Sequence, residues 1–236
     1  MKIDYKSFTK KYIRPKKNLF PTGTMVFKGF QGSGKTLSAV HYLFSLKQEF
    51  PDCLIYSNVI IKGIEDFELI QNDKDLDEAL QTSNGDKGIV IFLDEAHLFF
   101  NKKTGISLDV LTAISQQRKD RRRLIFTSQI WEELDVSLRK QVKEVVNCRC
   151  ILGKIQVNTI SDGESISYDK LKGTWIAKKL RTEVFKHNQQ LYDSYDTYQK
   201  IIRNEDYHRD FSPPPTIISN SVPTRRRVLS RRLDNR

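Results

Sequence analysis

Residues 26–40, VFKGFQGSGKTLSAV, set three glycines, a lysine and a threonine between an apolar run and a stretch with helical spacing. The run before it, TMVFKG (24–29), reads as a short buried strand. After it Leu37, Val40, Leu43, Phe44 and Phe50 recur at intervals that gather them on one side of a helix. The glycine loop therefore joins a strand to a helix. It fits G-x-x-x-x-G-K-[ST] as Gly29, Gly34, Lys35 and Thr36, with Gly32 as an additional glycine. Glycines are needed where successive N–H groups turn inward around a phosphate, because a Cβ obstructs both the conformation and the close approach. Gly29, Phe30, Gln31, Gly32, Ser33, Gly34, Lys35, Thr36 and Leu37 are thus candidate binders of a triphosphate. Lys35 is placed for the β- and γ-phosphates, and the Thr36 hydroxyl for Mg²⁺ at the helix N-terminus.

A triphosphate site of this kind also needs a strand that ends in acid, and IVIFLDEAH (89–97) supplies one. Asp94 at the strand end is the second candidate ligand of Mg²⁺, and Glu95 can orient and polarise an attacking water. Gln129 ends the strand candidate LIFTSQ (124–129), where an amide can contact a γ-phosphate or the lytic water; a satisfied polar strand end is the plainer alternative. Arg139, on a helix after Gln129, is a candidate to reach a neighbouring subunit's nucleotide. Arg118 and Arg121 to Arg123 are its rivals, and a solvated basic surface is an alternative for each.

CLIYSNV (53–59), GIVIFLDEA (88–96) and RLIFTSQ (123–129) are nearly continuous apolar runs, as parallel strands covered on both faces tend to be. Helical patterns separate them. One starts at Ser107 as cap, lines a face with Leu108, Leu111 and Ile114, and is expected to close with the cations of Arg118 to Arg123. The alternation predicts an α/β fold, a mostly parallel sheet sandwiched by helices, with ligands outside the carboxyl ends of the strands. Beyond Val146 the chain changes to the shorter alternating runs CRCILGKIQVNTI and SISYDKLKGTWIAKKLR, a small β-rich portion. The division expected is a basic arm over 1–17, a nucleotide-binding domain over 18–202 (core 24–147, β-rich extension 148–202), and a linker with an Arg-rich tail over 203–236.

The formal net charge of +11 is concentrated at the two ends, which attract polyanions through counterion release and make DNA the expected partner. No window approaches the roughly 18 uninterrupted apolar residues of a membrane span, so the chain reads as soluble, without a transmembrane segment. Cys53, Cys148 and Cys150 lack metal or disulfide spacing, and His41, His97, His187 and His208 lack the pairing of a helical metal site.

With these residues assembled, the chain resembles the additional-strand P-loop ATPases of the FtsK–HerA superfamily. Within that superfamily it is similar to the genome-packaging ATPases of tectivirus-like phages and to the Zot-like assembly ATPases of filamentous phages. GFQGSGKT, IYSNV with Asn58, IFLDEAHLFF, QQRK, TSQ and LDVSLRKQV carry the resemblance from about Met25 to Val146, and YDSYDTY extends it. The resemblance implies an ATPase using ATP and Mg²⁺, acting as a homo-oligomeric ring, a hexamer, that drives DNA. Lys35, Thr36, Asp94 and Glu95 would act in cis and an arginine in trans. It also implies a capsid vertex or membrane-associated packaging proteins as partners, in the host cytoplasm or the virion. Zot-like proteins usually carry a membrane span after the ATPase region; none is seen here, which favours packaging over extrusion. An ATP-switched assembly scaffold is the competing expectation, and a small-molecule kinase lacks an evident lid or acceptor site.

Overall fold

The computed structural model describes residues 19–64, 67–100 and 105–195. The basic arm over 1–17, the tail over 203–236, and the end of YDSYDTY lie outside these residues. The elements in chain order are β1 (Gly23–Lys28), α1 (Lys35–Glu49), β2 (Leu54–Ser57), β3 (Phe67–Leu69), α2 (Asp73–Gln81), β4 (Ile89–Leu93) and α3 (Leu108–Ser115). They continue with β5 (Arg122–Ser128), α4 (Val136–Arg139), β6 (Val142–Ile151), β7 (Ile155–Asp162), β8 (Ser167–Asp169), β9 (Thr174–Ile176), β10 (Lys179–Lys186) and α5 (Gln189–Asp193).

The main sheet has the order β10-β7-β6-β1-β5-β4-β2-β3. Every pairing from β6 to β3 is parallel, and β7 pairs antiparallel with both β6 and β10. β4 is buried at all five positions because both of its faces are covered, so it reads as an unbroken apolar run. Val90 and Phe92 join the cluster under α1 with Leu37, Val40 and Leu43. Ile89, Ile91 and Leu93 join the opposite cluster with Leu76 and Leu80 of α2 and Ile114 of α3. α2 starts on a reciprocal capping box, Asn72 with Asp75, and α3 on the Ser107 hydroxyl, which accepts from the Val110 N–H.

The chain departs from the expected pattern in three places. α3 ends at Ser115 rather than running into the arginines, and Arg122 and Arg123 open β5 as buried residues. The Arg122 N–H donates to the Gln117 carbonyl at 2.8 Å, and Arg121 adopts a left-handed conformation (φ 48°), so a tight turn replaces the last helical turn. Leu108 is 76% exposed, so the core side of α3 is made by Ile114 with Val110 and Ala113. The division at 147/148 falls inside β6, whose first half pairs with β1 and which pairs with β7 from Glu144 to Ile151. β7 and β10 thus extend the same sheet, while β8 and β9 pair with each other in a separate two-stranded sheet.

Arg123 is tolerated inside because Glu144 of β6 lies 2.5 Å away and the Thr22 and Gly23 carbonyls face the same guanidinium. Glu144 also accepts from Arg181 of β10 at 2.9 Å, tying β5, β6 and β10 together through one carboxylate. Burial alone would raise the Glu144 carboxyl, but Arg123 and Arg181 outweigh it and hold it below its usual range. A depressed carboxyl stabilises the fold fully above its unfolded value near 4.5 and loses that contribution as pH falls through the folded value. Glu144→Ala, which leaves Arg123 buried and unpaired, is expected to lower unfolding stability by about 3–5 kcal/mol in urea at neutral pH. The loss should shrink as pH falls below 4.5 and through the folded value; a loss independent of pH would contradict this account.

Candidate nucleotide site

The glycine loop leaves the carboxyl end of β1 and turns into α1 at Gly34, which caps the helix in a left-handed conformation (φ 81°, ψ 29°) with no side-chain cap. The first-turn N–H groups of α1 are therefore not taken by a capping side chain, the arrangement that suits an anion. A Cβ on Gly34 would overlap the Gln156 side chain, so both φ and space require glycine there. A Cβ on Gly29 would likewise overlap the Ser33 hydroxyl. Lys35 is 6% exposed and bends back across the loop, its ammonium donating to the Phe30 carbonyl at 3.3 Å, a long contact for a buried cation. Phe30 itself projects outward, 89% exposed.

Asp94, one residue past β4, is held against this loop. Its Oδ1 accepts from the Thr36 hydroxyl at 2.8 Å and from the Thr127 hydroxyl of β5 at 2.7 Å. Its backbone is clasped by the Asn58 side chain after β2: Asn58 Nδ2 donates to the Asp94 carbonyl at 3.0 Å, and the Asp94 N–H donates to Asn58 Oδ1 at 2.8 Å. Burial pushes the Asp94 carboxyl above the usual range, against the lowering effect of the Thr127 and Thr36 hydroxyls. Thr36 and Asp94 thus form a hard oxygen pair of the type Mg²⁺ takes, and the glycine cradle with Lys35 fits the phosphates.

Glu95 follows in a left-handed conformation (φ 51°, ψ 51°), unusual for a non-glycine residue and common at functional sites. Its N–H donates to Thr127 Oγ1 at 2.8 Å, and its Oε1 accepts from Gln129 Nε2 at 2.9 Å. Its Oε2 lies 3.3 Å from His97 Nδ1, and neither atom has a hydrogen-bond partner among the described residues. Thr36, Asp94, Glu95 and Gln129 are thus one connected set at the carboxyl edge of the sheet.

The arginines are distributed differently. Arg139, at the end of α4, stacks over Trp175 with its guanidinium carbon 5.6 Å from the ring centroid. Arg118 is exposed in the turn after α3. Arg121 pairs with Asp86 at 2.9 Å, Arg122 with Asp120 at 2.8 Å, and Arg123 with Glu144, all toward the amino end of β5. Arg122 and Arg123, at 4% and 2% exposure, are buried and paired within the fold.

A family model described as zonular occludens toxin (Zot) matches residues 23–199, most of the chain. The chain belongs to the Zot family. Among solved structures, the N-terminal domain of zonular occludens toxin from Neisseria meningitidis aligns with TM-score 0.54 and 16% identity. That alignment covers 74% of this chain and 98% of that one. The genome-packaging NTPase B204 from Sulfolobus turreted icosahedral virus 2, in complex with ATP-gammaS, aligns with TM-score 0.48 and 15% identity over 66% of this chain and 97% of that one. A search of curated proteins found no significant match. The fold is that of a P-loop NTPase, with a large, mostly parallel sheet flanked by helices. Among the described residues no helix is long and apolar enough to cross a membrane.

Several residues that complete the site of this Zot-family chain were not singled out from sequence. Thr127 is fully buried in an apolar strand and serves both acidic residues. Gln156 of β7, also fully buried, donates to the Ser33 carbonyl and to Asn158 Oδ1, each at 3.0 Å, and Asn158 accepts from Ser38 of α1 at 3.1 Å. His187 Nε2 lies 3.0 Å from Gln156 Oε1 and its Nδ1 2.6 Å from the Tyr192 hydroxyl. The polar alternation Gln156, Asn158 in IQVNTI was the available signal: polar residues on the face of a strand that the rest of the sheet buries.

Thr127→Val keeps the strand and the volume but leaves the Glu95 N–H and one Asp94 contact unpaired. It is expected to cost about 1–3 kcal/mol of unfolding free energy by urea titration. A change near zero would mean that water replaces the hydroxyl at no cost.

Proposed function

We propose that this chain hydrolyses ATP with Mg²⁺ and uses the cycle to move DNA during phage assembly. The observation that supports this most directly is the 2.8 Å hydrogen bond from Thr36 to Asp94, which joins the glycine loop to the acidic end of β4. Membership of the Zot family supports an ATPase of the phage assembly or packaging kind and favours the assembly and extrusion form over genome packaging.

When bound, Mg-ATP supplies a phosphoanhydride whose developing charge the metal offsets. Lys35 is the residue to hold the β- and γ-phosphates, the loop from Gly29 to Leu37 to enclose them, and Thr36 and Asp94 to hold the metal. Glu95 orients the attacking water. Gln129, hydrogen-bonded to Glu95, holds that carboxylate in place and is positioned to respond to the γ-phosphate. Arg139 is the proposed trans arginine within a homo-oligomeric ring, a hexamer, with its guanidinium presented on Trp175; exposed Arg118 is the remaining rival. The basic arms over 1–17 and 203–236 add affinity for DNA, and phage capsid or membrane-associated proteins, in host cytoplasm or virion, are the further partners in this reading.

Full-length protein is expected to hydrolyse Mg-ATP faster with DNA than without it. Glu95→Gln should lower kcat by about 10²–10⁴-fold with nucleotide binding retained, and Lys35→Ala should lose binding itself. A hydrolysis rate unchanged by DNA across a range of salt would point instead to an ATP-switched scaffold. Folded protein that neither binds nor splits Mg-ATP would sink the reading altogether.

A further inference from the structure

The sheet face opposite α1 carries a set of polar groups that the nucleotide site does not use. On β6, β7 and β10 the registers place Asn147 opposite Thr159, Thr159 opposite Thr182, and Ser161 opposite Lys179, with Lys28 of β1 beside Asn147. A cavity of about 280 Å³ opens there, bounded by Lys28, Asn147, Thr159, Ser161, Lys179 and the Trp175 hairpin. None of these five polar side chains makes a hydrogen bond or ion pair with another described residue, although Ser161 is only 4% exposed. Burial lowers the Lys28 ammonium, which lies 5.6 Å over the Trp131 ring. Its nearest carboxylate, Glu132, already accepts from the Trp175 indole N–H.

The same face continues along the strands. Arg149 opposes Val157, which opposes Val184, and Ile155 opposes Lys186. Val184 is 62% exposed and Ile151 37%, so no described element covers this part of the sheet. The strand positions on this face hold Lys28, Arg149, Lys179 and Lys186 and no carboxylate. The acids of the three strands, Glu144, Asp162 and Glu183, belong to the α1 side, where Glu144 and Glu183 are occupied by Arg181. A one-sign row of cations with uncommitted hydroxyls and an amide between them is complementary to a phosphodiester backbone.

We infer that this face of β6, β7 and β10 is the track on which the chain holds a nucleic-acid backbone, with one phosphate seated in the cavity between Lys28 and Lys179. The inference rests on the DNA-handling reading above and adds the surface that does the handling. Trp175 is covered by Arg139 on its face and by Tyr168 at 5.4 Å in an edge contact, so the contact is to phosphate and not to stacked bases. The track is therefore indifferent to sequence.

The test uses full-length protein and a fluorescent oligonucleotide, with anisotropy followed over a salt series. The triple variant R149Q/K179Q/K186Q should bind about tenfold or more weakly near physiological salt, with a log–log salt slope smaller by about three. Asn147→Asp, which puts a carboxylate into the cavity at unchanged size, should weaken binding by itself. A charge-matched control, K62Q/K74Q/K119Q, removes three exposed cations elsewhere and should leave both quantities nearly unchanged. Equal effects in the two triple variants, or no effect in either, would overturn the inference. So would light scattering in which the face variant loses self-association, which makes the face a contact between copies. Mg-ATP hydrolysis without DNA is measured in parallel to separate the two claims. Inactive protein with face-dependent DNA affinity removes only the ATPase reading, whereas active protein with face-independent affinity removes only this inference.

Discussion

The Asp94 carboxylate is the point on which the site turns. It is half-buried at the end of a strand covered on both faces, and such a charge is costly unless donors surround it. The donors come from α1 through Thr36 and from β5 through Thr127, while Asn58 clasps the backbone from β2. One acidic group therefore fixes the spacing between the glycine loop and two neighbouring strands. Satisfying that acid inside the fold also builds the place where a metal and a triphosphate fit.

The antiparallel end of the sheet serves the same loop from the other side. Gln156 fills the space that a side chain on Gly34 would take, and its amide holds the Ser33 carbonyl. The β6–β7 hairpin continues past the end of β1 and can reach beneath the loop. The extension is therefore part of the nucleotide site and carries, on its other face, the uncommitted cations.

Charge in this chain divides by partner rather than by number. Arg122, Arg123 and Arg181 are paired with acids, and the last two tie β5 and β10 to Glu144 of β6. Lys28, Arg149, Lys179 and Lys186 form no ion pair with an acid among the described residues. The unpaired group carries affinity for a polyanion, because only a cation that is not already neutralised releases counterions on binding.

GFQGSGKT and IVIFLDE specified the loop, the helix after it and the acidic strand end from sequence, since each depends on local spacing: glycines where N–H groups converge, and apolar runs where both faces are covered. The alternation of runs was enough for an α/β fold with a mostly parallel sheet. Strand order, and with it the contact of Thr127 with Asp94 and of Gln156 with Ser33, came only with the tertiary structure. These pairs lie 33 and 123 residues apart, and no local pattern encodes which strand lies beside which. The arginines of QQRKDRRR look alike in sequence. Only the partners brought by the turn before β5 and by β6 make Arg122 and Arg123 structural while Arg118 stays exposed, because burying a guanidinium is costly unless an acid lies within reach.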